Sequence, residues 1–293
     1  VHRDRSVFRA RTLRFERQHR GENKRCGPRI GRAEARQQRA RPDKPLVRDY
    51  VEIATGVRML VAFGRLHHVV ELSSGAQVDL AFLKTGDEVL TPDNAYAPNQ
   101  SLAAGELQNF GITHQRYDPL NVDDLAQRIT SKTKLVWLEA AGSVTMEFPD
   151  LVSQVALCKS KGVICALDNT WGAGLAFNAF DLTPGVGAEP LGVDLTIHAL
   201  TKYPSGGGDV LMGSIITRSD LLARTIKLSH MRIGTGVGAN DVETLLRSLP
   251  TLEVRYSTQD LHARKIAQWC ESQSVFAQVL HPALVQSPGH LHW

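Results

Sequence analysis

The sequence predicts an α/β fold, a mainly parallel β-sheet with helices on both faces. Two patterns carry that prediction. Short apolar runs recur from about residue 69 onward, without the polar alternation of a half-solvated strand. Amphipathic stretches separate them, and β–α alternation of this kind builds a parallel sheet through crossover connections. Composition agrees: 293 residues, 42% hydrophobic and 22% charged, are enough chain to bury a substantial core without staples.

The elements follow in order. Ser73-Ser74-Gly75-Ala76 opens a helical pattern that runs to Leu83. Apolar strands are predicted at EVLTPD (88–93), KLVWLEA (134–140), GVICALD (162–168), VDLTIHAL (193–200) and VLMGSIIT (210–217). Helices are predicted between them, at Ser101–Phe110, Val122–Ile129 and Leu151–Lys161. The Gly- and Pro-rich stretch Leu182–Gly192 reads as a surface loop. From about residue 241 the pattern is of long helices that lead out of the main domain. The expected organisation is therefore an Arg-rich leader (1–68), a major domain (69–240), and the start of a second domain (241–293).

The net charge of +4 hides a split. Residues 1–50 hold fourteen Arg and two Lys against six acidic residues, a surplus of about +10, so the remainder carries about −6. The leader has few large aliphatics and no sustained apolar period, and cannot offset its ordering entropy by burial. It could be a nucleic-acid-binding arm, a disordered tail, a transit peptide, or sequence that is not native; a nucleic-acid partner is not the expected reading. No run reaches the roughly 18 apolar residues of a membrane span, and the N-terminus has no apolar signal region. Cys26, Cys158, Cys165 and Cys270 form no CxxC pair, so free thiols in the cytoplasm are expected, and no metal site.

Four positions carry candidate chemistry. Small residues at Ser73–Ala76 leave N–H groups at a helix start open to a phosphate, or form an ordinary N-cap. Tyr96 follows the strand at Glu88–Leu90 and could stack on a planar ring, or pack half-buried. Asp168 ends an apolar run, where open α/β sheets place ligands; it could hold a ring nitrogen protonated, or cap the next turn. Lys202 stands directly after a buried strand, beside Thr201 and the SGGGD turn (205–209). A lysine desolvated there becomes a nucleophile, although most lysines are solvated surface charges. Gly75, Tyr96, Asp168 and Lys202 are all expected on one edge of the sheet.

At these residues the chain resembles the Cys/Met-metabolism family of pyridoxal phosphate (PLP) enzymes. The likeness lies in SSGAQVDLAFLKTGDEVLTPDNAYAPNQ (73–100), KLVWLEAAGSVTMEFPDL (134–151), ALDNTWGAGLAFNAFD (166–181) and HALTKYPSGGGDVLMGSI (198–215). It extends through MRIGTGVGANDVETLLRSLPTLEVR (231–255) and HPALVQSPGHLHW (281–293), covering about residues 69–293. The GSVTMEFPD phrase favours the beta-lyase branch.

The resemblance implies a fold-type I PLP-dependent transferase major domain, with a mainly parallel seven-stranded-type sheet and a truncated C-terminal domain. It implies PLP as cofactor, with Lys202 as its Schiff-base lysine and proton shuttle. Asp168 would pair with the pyridine nitrogen, Tyr96 would stack on the ring, and Gly75, Ala76 and Thr201 would bind the phosphate. The implied reaction is beta-elimination of L-cystathionine to homocysteine, pyruvate and ammonia, in methionine biosynthesis by transsulfuration. A gamma-synthase, a gamma-lyase, a cysteine-conjugate lyase or an inactive scaffold is the alternative. The implied assembly is a homo-oligomer, dimer or tetramer.

The chain departs from the family at several points. Residues 1–68 contain no Tyr-x-Arg motif, which in relatives reaches the neighbouring subunit's phosphate. Ala199 stands where many relatives carry a phosphate-binding Ser. The chain stops at Trp293, short of the arginine that binds the substrate carboxylate in relatives.

Overall fold

The computed structural model describes residues 49–52, 58–61, 68–72, 76–186 and 189–293. The Arg-rich leader up to residue 48, with Cys26, and Ser73–Gly75 lie outside the described residues.

Two short strands, β1 (Asp49–Glu52) and β2 (Arg58–Val61), form an antiparallel pair. The main sheet has seven strands: β3 (His68–Leu72), β4 (Glu88–Pro92), β5 (Thr113–Tyr117), β6 (Thr133–Glu139), β7 (Ile164–Asp168), β8 (Leu195–Ala199) and β9 (Gly213–Thr217). Their spatial order is β3-β9-β8-β7-β6-β4-β5. The ladders β5/β4, β4/β6, β6/β7 and β7/β8 are parallel, while β9 runs antiparallel to both β8 and β3. The sheet is mainly parallel, as the alternation predicts. All five apolar runs became strands.

The helices are α1 (Ala76–Phe82), α2 (Ala97–Ala104), α3 (Glu106–Asn109), α4 (Val122–Arg128), α5 (Leu151–Lys161), α6 (Asp220–Ile233), α7 (Ala239–Ser248) and α8 (Leu252–Glu271). Their ends are set by local chemistry. Asn121 caps α4, its side chain accepting from the N–H groups of Asp123 (3.0 Å) and Asp124 (3.1 Å). Asp150 caps α5 by accepting from Ser153 N–H at 3.0 Å, and the helix ends at Gly162 in the left-handed conformation. The stretch predicted as one helix over Ser101–Phe110 is broken at Gly105 into α2 and α3. The loop at Leu182–Gly192 closes on itself through Leu182 N–H to Leu191 O (2.7 Å).

Strand alternation sorts the core into two layers. Leu90, Val136, Leu138, Cys165 and Leu167 face α4 and α5. Val89, Leu135, Trp137, Ala166, Leu195 and Ile197 face the opposite way, toward α1, α2, α3 and α6. Leu138 and Leu167 are fully buried, each contributing about 1.5–3 kcal/mol by leaving water. The chain's crossovers run outward from β4 to β5 and then back across it to β6 and beyond. The reversal at β4/β6 opens a crevice at the carboxyl ends of the strands, where open α/β sheets take ligands.

Candidate active site

Four chain segments leave the carboxyl ends of β4, β6, β7 and β8 side by side. The first, Asp93–Tyr96, places Tyr96 at the start of α2 with its side chain about half in solvent (51% exposed). Its backbone N–H donates to Glu139 Oε2 at 2.8 Å. Glu139, the last residue of β6, also accepts from Ser143 Oγ at 2.5 Å. Asn94 Nδ2 donates to Glu147 Oε2 at 2.8 Å, fastening the Gly142–Glu147 turn to the β4 exit. Gly142 is required there, since a Cβ would lie 2.0 Å from Asn94 Nδ2.

Asp168 ends β7 and is the register partner of Glu139 across the parallel ladder. Neighbours in such a ladder share a face, so the two carboxyls stand next to each other on the side of α1, α2 and α6. Burial pushes the Glu139 carboxyl up to about 7, and the charge of Asp168 adds to the rise. Burial also raises Asp168; hydrogen bonds from Thr170 and the positive charge of Lys202 act against it. Thr170 ties the loop after β7 to β8, its Oγ1 accepting from Ala199 N–H at 2.9 Å.

Lys202 was expected to be desolvated by the strand before it; the structure instead places it on an exposed turn three residues past the end of β8, with Thr201 half-buried beside it. The turn is closed by Lys202 N–H to Ala199 O (3.2 Å), Ser205 N–H to Leu200 O (2.9 Å) and Gly206 N–H to Lys202 O (3.1 Å). The SGGGD stretch was expected to let backbone approach a ligand. In the structure Gly206, at φ +74°, instead approaches Arg255, whose guanidinium lies 2.9 Å from where its Cβ would be. His198, buried at the end of β8, is pushed down to about 4 by burial.

Tyr96, Asp168, Thr201 and Lys202 thus share one edge. Ala76 opens α1, which is tied to β6 where Trp137 Nε1 donates to Asp79 Oδ1 at 2.9 Å. Gly75 lies outside the described residues. Sequence reasoning missed Glu139, although it ends an apolar run just as Asp168 does. It also missed Arg255, for which helical spacing gives no signal.

The family model for Cys/Met metabolism PLP-dependent enzymes matches residues 62–293. The chain belongs to this family. It is 34% identical over 216 residues to cystathionine beta-lyase MetC of Escherichia coli K12, covering 73% of this chain and 52% of the relative. It is 32% identical over 214 residues to an L-alanine/L-glutamate racemase of Wolbachia pipientis wMel, covering 73% of this chain and 50% of the relative. Among solved structures, metB from Corynebacterium glutamicum superposes with a TM-score of 0.69 at 26% identity, over 77% of this chain and 57% of that one. A cystathionine gamma-lyase from Lactobacillus plantarum, at 22% identity and the same TM-score, shares the fold. The chain spans about half the length of the curated relatives it matches.

PLP is the cofactor of this family. The residues present fit such a group. An acid at the end of β7 and an amine on the turn that leaves the adjacent β8 can bracket a protonated heterocycle. The half-exposed Tyr96 offers a ring face beside them. At the other end, next to Ala76, both polar atoms of the buried Gln77 amide lack a partner among the described residues. Among the described residues no helix is long and apolar enough to cross a membrane.

Proposed function

We propose that this chain is the cofactor-binding part of a cytoplasmic PLP-dependent carbon–sulfur lyase that converts L-cystathionine to homocysteine, pyruvate and ammonia by beta-elimination. The observation that carries the reading is the placement of Asp168 at the carboxyl end of β7 and of Lys202 on the turn that leaves β8, the parallel neighbour of β7. Similarity to several cystathionine beta-lyases supports the choice of substrate.

Bound PLP supplies an electron-withdrawing ring that accepts the charge left when a proton departs from the substrate's α carbon. The protein does the rest. Lys202 Nζ would hold the cofactor and would act as the base that takes the proton from the substrate's α carbon and delivers a proton to the departing sulfur. Asp168 would keep the ring nitrogen protonated. Tyr96 would cover the ring face. Gly75, Ala76 and Thr201 would take the phosphate. In this reading residues 69–240 form the cofactor domain and 241–293 begin a second one. The working molecule is a homo-oligomer, as the resemblance to the family implies.

The racemase relative gives a second reading, because racemisation begins with the same proton removal and then returns a proton to the α carbon instead of expelling sulfur. The full chain incubated with PLP and, in separate reactions, L-cystathionine or L-alanine distinguishes them. Pyruvate release, abolished in Lys202→Ala, is the expected result. Racemised alanine without pyruvate from cystathionine selects the racemase. Cofactor uptake with neither product selects an inactive scaffold.

A further inference from the structure

Helix α8 lies outside the sheet, yet two consecutive residues on it reach both turns that carry the cofactor-binding pair. Arg255 Nη1 donates to Tyr203 O at 2.5 Å, and Nη2 donates to Pro204 O at 3.4 Å. The same guanidinium donates to Ser248 O (3.2 Å) and Ser248 Oγ (2.9 Å), and Nε donates to Thr251 Oγ1 at 3.1 Å. Tyr256 OH donates to Trp171 O at 3.1 Å, three residues beyond Asp168. The rings of Tyr203 and Tyr256 meet edge to face at 5.1 Å. A planar guanidinium with five donors in a fixed fork suits this use, because it holds several carbonyls in one geometry.

We propose that Arg255 and Tyr256 are positioning residues that clamp the Lys202 turn to the Asp168 turn, so that α8 sets the reach of the Lys202 amine. The proposal rests on Lys202 being the cofactor lysine, but the clamp itself does not. The carbonyls of Tyr203 and Pro204 follow Lys202 directly, and the turn's own hydrogen bonds leave them to Arg255. Gly206 is part of the same arrangement, since any side chain there would strike the guanidinium and Ser248 Oγ. Leu200 and Val210, on either side of the turn, pack with Val242 and Leu245 of α7, so the clamp has a fixed base. Substituting Arg255 frees the turn without touching a reacting atom. The amine then samples more positions and spends less time in line with the cofactor.

The test uses the full chain with and without PLP. Without PLP, hydrogen exchange read by mass spectrometry is expected to quicken about tenfold at residues 203–206 in Arg255→Met, with β6 and β7 unchanged. Tyr256→Phe quickens residues 171–174 instead. With PLP, Arg255→Met captures the cofactor at Lys202 about tenfold more slowly and shifts the pH midpoint of the lysine–PLP absorbance band. Arg255→Lys recovers part of both. A folded Arg255→Met with wild-type exchange and a wild-type band overturns the proposal. If Arg255→Met fails to fold, Tyr256→Phe decides, and unchanged exchange at 171–174 overturns it. Should the wild-type chain take up no PLP at Lys202, the functional reading fails, and the exchange result alone decides the clamp.

Discussion

Glu139 and Asp168 put two carboxyls side by side at the ends of β6 and β7, and one proton held there changes the charge facing the lysine. Asp168→Asn removes the neighbouring charge and leaves both Glu139 oxygens in place, Oε2 accepting from Tyr96 N–H and Oε1 from Ser143 Oγ. The Glu139 carboxyl is then expected to titrate below about 7, read from its 13C resonance across pH; an unmoved midpoint would separate the two groups. Asp79 is a second buried carboxyl, pushed up to about 7 by burial despite the hydrogen bond from Trp137. Its folded value lies above its unfolded one, so its contribution is fully present below about pH 4 and is lost as pH rises through about 7. Asp79→Asn keeps the acceptor and cannot ionise. It should raise the melting temperature at pH 8, with an upper bound of about 4 kcal/mol, and leave it unchanged at pH 4. Lys202 and Asp168 were legible in sequence because each ends a run of apolar residues. Glu139 carried the same signal, but its run was read only as a strand. Arg255 was illegible because its partners are backbone carbonyls 51 and 52 residues away, and carbonyls leave no trace in side-chain pattern.

Elements with a sharp local signal were read well. Helix α5 matches Leu151–Lys161 because Asp150 caps it and Gly162 ends it. Strand β5, THQRY, was missed. It pairs only with β4 at the sheet edge and is largely polar, so it lacks the two-sided apolar run that marks a central strand. The direction of β9 was also hidden, since GSIIT reads the same whichever way the strand runs. The cap on α4 is the simplest element to test. Asn121→Ala removes the acceptor for two N–H groups and should cost about 1 kcal/mol in urea unfolding, with an unchanged slope.

At the scale of the whole molecule, the strand order puts the crossover reversal at β4/β6 and gathers four strand exits into one crevice. The β–α alternation predicted a parallel sheet, but the order of its strands depends on which helices cross which face. That is a property of packing between distant segments. Leu167, fully buried between β7 and the α4/α5 layer, supports the strand that carries Asp168. Leu167→Ala should cost about 3 kcal/mol in unfolding and leave the order of the sheet intact. The central claim is that this architecture brings one lysine to a PLP ring opposite one acid. Borohydride reduction of the PLP-loaded chain, followed by peptide mass mapping, tests it most directly. The pyridoxyl label is expected on the peptide that contains Lys202 and nowhere else. A label on any other lysine, or none at all, would contradict it.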